Sequence, residues 1–214
     1  KLQEWYNEHH RNLPWRNTNN PYKIWLSEII LQQTRVDQGM AYYKKFIAHY
    51  PTVINLAEAS EEEILKDWQG LGYYSRARNL HAAAKVISEQ MNGVFPSTFN
   101  EIKKLKGVGD YTAAAISSFA FNEAQAVLDG NVFRVLSRLS GNDTPIDSTN
   151  GKKLFQEMAN NLLDKENPAQ HNQAIMEFGA LQCLPKNPKC DSCIFQKDCQ
   201  AYQLKIQQEL PVKA

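Results

Sequence analysis

Two carboxylates, a tyrosine and a cysteine cluster account for most of the chemistry available to this chain. All four cysteines fall near one end, at Cys183, Cys190, Cys193 and Cys199, with six, two and five residues between them. Disulfides would explain such a cluster in a small secreted domain, but 214 residues bury roughly 70 percent of their extended surface and need no staple. Metal ligation is the stronger reading. Four thiolates suit zinc or an iron–sulfur cluster, and a zinc site more often shows two C-x-x-C knuckles where this chain has one. Glu28 stands in WLSEIILQQT, one turn from Ile24, Leu31 and Gln32. It is either an exposed glutamate on the polar side of an amphipathic helix or a buried one, whose pKa desolvation would raise until it could donate a proton at neutral pH.

The second carboxylate lies in LKGVGDYTAAAISSFAFNEAQAVLDGNVFRVLSRL, residues 105 to 139. Gly107 and Gly109 flank Val108, and Asp110 is placed to cap a helix that begins with Tyr111 and Thr112. Two glycines this close permit a near approach of another molecule, and a helix N-terminus suits a phosphate. Asp129, Gly130 and Asn131 form a second helix entry before Val132, Val135, Leu136 and Leu139. Two ordinary capped helix starts would look the same.

The elements that must position these groups are helical throughout. A short amphipathic helix carries Leu2, Trp5 and Tyr6 and ends at Leu13 and Pro14. A long helical stretch from Pro21 breaks near Val36 to Gly39 and stops at Pro51, giving two helices. Ser60 and Glu63 form a capping box ahead of EEEILKDWQ. GLGYYSRARNLHAAA supplies a Gly/Tyr turn before the next helix, then come FPSTFNEIKKLK and the two helices of the hairpin stretch. GKKLFQEMANNLLD and NQAIMEFGALQC lead on to the cysteine loop. No run alternates with period two, so the expected class is all-α, with about ten helices averaging near twelve residues. No internal repeat or low-complexity segment is present.

Charged residues make up 22% and the formal net charge is +1, which excludes a disordered chain and gives no global signal for nucleic acid. A DNA-binding protein of this composition must gather its cations locally. The candidates are Lys103, Lys104 and Lys106 before the hairpin, Arg76 and Arg78 after the Gly/Tyr turn, and Arg134 and Arg138 on the polar side of the last hairpin helix. Lys186, Lys189 and Lys197 lie in the cysteine loop. Such groups are more often solvated faces than phosphate sites. The five histidines show no ligand spacing and read as structural. No apolar run reaches the eighteen or so residues that span a bilayer, so no membrane partner is expected.

Taken together, the hairpin, the aspartate about twenty residues beyond it and the cysteine spacing resemble the helix-hairpin-helix DNA glycosylase superfamily. The six, two, five spacing is similar to the [4Fe-4S] loop of its endonuclease III and adenine glycosylase branch. LSEIILQQT closely resembles the LSE-x-x-LQQT segment of the MutY-type adenine glycosylases. The resemblance runs from residue 5 to about 203. It implies a two-lobed all-α fold, residues 22–123 forming a six-helix lobe and residues 1–21 with 124–214 an iron–sulfur lobe, with DNA across the cleft holding Glu28 and Asp129. QQELPVKA looks like the start of a linker to a C-terminal 8-oxoguanine-recognition domain that is absent.

The roles implied are specific. Glu28 is the general acid for the leaving adenine, and Asp129 stabilises the oxocarbenium-like sugar or bonds transiently to C1′. Tyr111 occupies the position where the bifunctional branch has its Schiff-base lysine, so the enzyme should be monofunctional. Asn131 joins this catalytic set. Gln33 is a wedge entering the base stack, Thr34 beside it is a DNA-binding residue, Tyr73 intercalates beside the estranged guanine, and Gly107, Val108 and Gly109 hold the DNA backbone. Leu13, Trp15, Arg16 and Gln173 line the adenine pocket; packing would be their plain alternative. Cys183, Cys190, Cys193 and Cys199 ligate a [4Fe-4S] cluster with no redox step. The expected partner is double-stranded DNA carrying adenine opposite 8-oxoguanine or guanine, bound by a monomer in bacterial cytoplasm. A thymine mismatch glycosylase, an endonuclease III-like lyase and a non-catalytic hairpin DNA-binding module are the rivals.

Overall fold

Helix entries show most directly how the sequence writes the fold. In the computed structural model, which describes all residues from Lys1 to Ala214, Asn20 accepts from the Tyr22 and Lys23 amides and Pro21 opens α2, Pro21–Ile30. Thr52 with Asn55 opens α4, Val53–Glu58, and Ser60 with Glu63 opens α5, Glu61–Trp68, both as reciprocal capping boxes. Ser148 caps α10, Thr149–Leu162, through the Gly151 amide.

The other helices are α1 (Leu2–His9), α3 (Val36–His49), α6 (Ser75–Gln90), α7 (Phe99–Ile102), α8 (Asp110–Phe121), α9 (Gly130–Ser140), α11 (Pro168–Leu181) and α12 (Gln200–Leu204), with 3-10 turns at Pro14–Arg16 and Cys190–Ser192. There are no strands. The all-α class is as read from the sequence, with twelve α-helices because α4, α7 and α12 are short. No helix is long and apolar enough to cross a membrane.

The chain divides into two compact units, residues 12–123 and residues 1–11 together with 124–214. Residues 12–21, expected with the C-terminal part, fall in the 12–123 unit, which holds the seven helices α2 to α8 rather than six. Its core is built around Trp25, Trp68, Phe46, Leu56, Ile64 and Ile87, all essentially inaccessible. Helix α8 presents Ala113, Ala114, Ala115 and Ile116 as buried residues, and α2 packs directly on it. Small side chains allow that close approach.

In the other unit α11 packs against α1 and α9, and α9 against α10 and α12. Trp5 meets Phe178 edge to face at 4.9 Å. Arg11 seals the arm: its backbone amide and Nε donate to Glu177 Oε1 at 2.8 and 2.9 Å, and Nη2 to Oε2 at 2.7 Å. Glu177 is fully buried, so its charge is held in place by this fork.

Three local expectations are corrected. Helix α1 ends at His9, whose neighbour His10 is already extended. The break after α2 lies at Leu31–Arg35, around Gln33 with φ 54°, and Gly39 sits inside α3 against the Leu31 side chain. Asp110 is the first residue of α8 rather than its cap; Gly109 holds the cap position, and Asp110 pairs with Lys103.

Candidate active site and cysteine pocket

Within the 12–123 unit, α2 and α8 bring Glu28 and Tyr111 together. The Tyr111 hydroxyl donates to Glu28 Oε2 at 2.9 Å. Glu28 is half-buried on the last turn of α2, whose neighbours Ser27, Ile29 and Ile30 are buried. The carboxylate is thus neither fully solvated nor sealed in the core.

Beyond it the same unit exposes two tips. Gln33 is exposed, with φ 54°, and Tyr73 is 67% exposed, with φ 46°. Thr34, half-buried, donates through Oγ1 to the Gln32 carbonyl. In the hairpin, Gly107 takes φ 80° and backs onto Asn79, where a Cβ would lie 2.8 Å from that residue's Cβ. Only glycine fits there. Val108 is buried in the core, Gly109 is open, and no side chain caps the start of α8. Lys104 and Lys106 are exposed beside it. Leu13 and Trp15 are buried in this unit's core, Trp15 against Tyr43 at 5.2 Å, and Arg16 is half-buried. Gln173 belongs to the other unit, where it accepts from the Tyr6 hydroxyl at 3.0 Å.

In that unit Asp129 caps α9. One carboxylate oxygen accepts from the Val132 amide at 2.8 Å and the other from Asn131 Nδ2 at 2.9 Å. Arg134 Nη2 donates to Asn131 Oδ1 at 2.9 Å, which orients the Asn131 amide so that its NH2 faces the aspartate. Burial pushes the Asp129 pKa above the ordinary carboxylate value, opposed by these donors and by the Arg134 charge. The site is therefore built to hold an anion at the cost of desolvation.

Several cations read from the sequence as candidate phosphate contacts are committed internally. Arg134 is buried and also donates to the Cys183 and Gly179 carbonyls. Arg138, 2% exposed, donates to the Leu210, Leu184 and Pro185 carbonyls and lies 3.4 Å from Cys183 Sγ. Arg76 is spent on backbone carbonyls, whereas Arg78 stays exposed in a surface pair with Glu61. An arginine in a polar stripe has two readings, and the carbonyl acceptors that choose between them leave no trace in a sequence. For Arg76 as a positioning group the only signal is adjacency to the Gly/Tyr turn. His81 is buried and His49 pairs with Asp67, both outside these sites.

The four cysteines line one pocket with Val135, Leu139 and Phe178. All are free thiols, and burial pushes Cys193 up to about 11. Lys186, Lys189 and Lys197 are exposed on this loop. No three His, Cys, Asp or Glu side chains close on a point that would hold a single metal ion.

A family profile described as "HhH-GPD superfamily base excision DNA repair protein" matches residues 26–161, a span that includes the second half of α2 with Glu28, the hairpin and Asp129. The chain belongs to the HhH-GPD superfamily. Curated relatives include the adenine DNA glycosylase of Buchnera aphidicola subsp. Baizongia pistaciae, 42% identical over 92% of this chain and 56% of that protein. The human adenine DNA glycosylase is 40% identical over 98% of this chain and 40% of its own length. The chain thus spans about half the length of the curated relatives it matches. Among solved structures, a thermostable thymine-DNA glycosylase superposes with TM-score 0.87 at 31% identity, covering 95% of this chain and 94% of that one. A trapped endonuclease III–DNA covalent intermediate shares the HhH-GPD fold, with TM-score 0.80 at 23% identity over 96% of this chain and 93% of that one.

Proposed function

We propose that this chain is the catalytic region of a monofunctional adenine DNA glycosylase, which removes adenine opposite 8-oxoguanine or guanine in double-stranded DNA. The observation that carries the reading is the Tyr111–Glu28 hydrogen bond: a phenol, with no amine for a Schiff base, stands on the glutamate of α2, just ahead of the LQQT turn. The names of the curated relatives support adenine as the base.

In this reading the duplex backbone rests on the amide end of α8 and Gly107–Gly109, while Gln33 and Tyr73 enter the stack and the adenine is extruded. Glu28 gives its proton to the adenine ring as the C1′–N bond breaks, and the bonding electron pair leaves with the base. Positive charge then grows on the deoxyribose. The Asp129 carboxylate, held by Val132 N–H and Asn131, stabilises that cation until water adds at C1′. General acid catalysis contributes about 10²–10⁴-fold and such a fixed charge about 10²–10³-fold more. Leu13, Trp15, Arg16 and Gln173 are assigned to the adenine pocket.

The four cysteines line one pocket, and their single C-x-x-C with six, two and five residues between ligands supports a [4Fe-4S] cluster over zinc. Cys183, Cys190, Cys193 and Cys199 would hold it. Bound there, it supplies a structural cross-link for the loop, with Lys186, Lys189 and Lys197 displayed outward.

A thymine mismatch glycosylase is the second reading, favoured by the match to the thymine-DNA glycosylase structure over nearly its whole length. Base release from A:8-oxoG, A:G and T:G duplexes decides between them. Adenine release that disappears in Glu28→Gln and in Asp129→Asn is expected; thymine release, or adenine release intact in both variants, overturns the proposal.

A further inference from the structure

Arg76, on the first turn of α6, turns its guanidinium into the protein. Nη1 donates to the carbonyls of Ile29, Ile30 and Gln32 at 3.0, 3.2 and 2.5 Å. Nη2 donates to those of Leu71 and Gly72 at 3.2 and 3.4 Å. Its carbon lies 5.1 Å from the Trp68 ring centre and 5.8 Å from that of Tyr73.

One side chain therefore serves two segments. The first is the C-terminal end of α2, where carbonyls without helical partners need donors. The second is the 70–73 turn, where Trp68 Nε1 also donates to the Gly72 carbonyl at 3.0 Å, and just before it the Tyr42 hydroxyl donates to the Gln69 carbonyl at 2.6 Å. The two segments are alike at their acceptors. The Gln32 carbonyl immediately precedes Gln33 and the Gly72 carbonyl precedes Tyr73, and both of these exposed residues have left-handed backbone, φ 54° and 46°. Non-glycine residues stay in that region only where the surroundings over-determine them.

We infer that Arg76 is a positioning residue that sets the spacing between Gln33 and Tyr73, so that the two tips enter the base stack as one rigid fork, registered on the helix that carries Glu28. The inference rests on the reading of Gln33 and Tyr73 as DNA-contacting. Arginine is required because its planar fork reaches two segments at once; a lysine ammonium is a single point on a flexible stem.

A double-mutant cycle tests it, with single-turnover adenine excision from an A:8-oxoG duplex as the rate and emission of 2-aminopurine beside the mispair as the report of unstacking. Arg76→Met is expected to slow excision by about tenfold or more in the wild-type background and by less than about twofold when Gln33→Ala and Tyr73→Ala are already present. Arg76→Lys keeps the buried charge and carries the same cycle if the methionine variant does not fold. It is expected to bind duplex while leaving 2-aminopurine emission near that of free DNA. An equal Arg76 effect in both backgrounds makes the residue merely structural and overturns the inference. If the Gln33→Ala, Tyr73→Ala double variant excises at the wild-type rate, the assignment of the tips fails and this inference with it. The adenine reading is judged separately, by Glu28→Gln.

Discussion

The Tyr111 hydroxyl donates to Glu28 Oε2 at 2.9 Å across 83 residues of chain. The contact exists because α2 packs on α8, whose first turn carries Tyr111. As Glu28 gives up its proton in the proposed reaction, charge grows on the carboxylate that Tyr111 supports, and a hydrogen bond to a charged group contributes about 1.5–3 kcal/mol. Tyr111→Phe should therefore lower the single-turnover excision rate about 10–100-fold while the duplex dissociation constant stays unchanged. An unchanged rate removes Tyr111 from the catalytic set.

The same position decides between hydrolysis and lyase chemistry. Borohydride should trap no covalent adduct between the wild-type chain and DNA, since Tyr111 offers no amine. Tyr111→Lys places one against Glu28 and should produce a trapped adduct on denaturing gels. A wild-type adduct would point to another amine and to the bifunctional reading.

Asp129 gives a prediction in pH. Its folded pKa is raised by burial, so the folded state binds its proton more tightly than the unfolded chain does. Stability from this group is fully present below the ordinary aspartate value, and it declines as pH rises from there through the folded value. Catalysis needs the opposite form, so the acid limb of the excision profile should lie above the ordinary aspartate range. Asp129→Asn keeps an oxygen for the Val132 amide and removes the buried charge. It turns an NH2 toward that of Asn131 in place of the second acceptor oxygen. It should cut excision about 10²–10³-fold and make Tm less dependent on pH between the ordinary aspartate value and pH 7; an unchanged dependence would mean that Asp129 does not titrate there.

Replacing Cys193 by alanine removes one of the four pocket thiols. Purified under the same conditions, this variant should lose iron and the broad visible absorbance of a cluster. Amide exchange should quicken in α9, where Arg138 joins the cysteine loop to the helix. A parent protein that carries zinc and is colourless would refute the cluster.

Helix class and the grouping of the cysteines are legible in the sequence because both are written locally. Apolar residues recur at three and four positions, caps such as Ser60 stand beside their helices, and the four cysteines are close together. Glu28 is a candidate from its apolar setting, and resemblance decides its role and supplies Gln33 and Tyr73. The group that joins them is not legible, because Arg76 acts on carbonyls of five residues and a carbonyl has no identity in a sequence. The cap of α8 differs from expectation by one position for a related reason. Gly109 takes the extended cap conformation, and the Asp110 carboxylate reaches Lys103 in preference to its own helix.

The membership of residues 1–11 in the same unit as 124–214 has a consequence during synthesis. Helix α1 leaves the ribosome first, yet Phe178, against which Trp5 packs, and Glu177, which Arg11 grips, belong to α11. At about 5–20 residues per second, their arrival takes on the order of ten seconds. An isolated eight-residue helix is marginal in water. The nascent chain thus carries Trp5 and Tyr6 uncovered while residues 12–123, contiguous and already complete, can collapse on their own. Of all the elements of its unit, the amino-terminal arm is made first and waits longest for the surface that covers it.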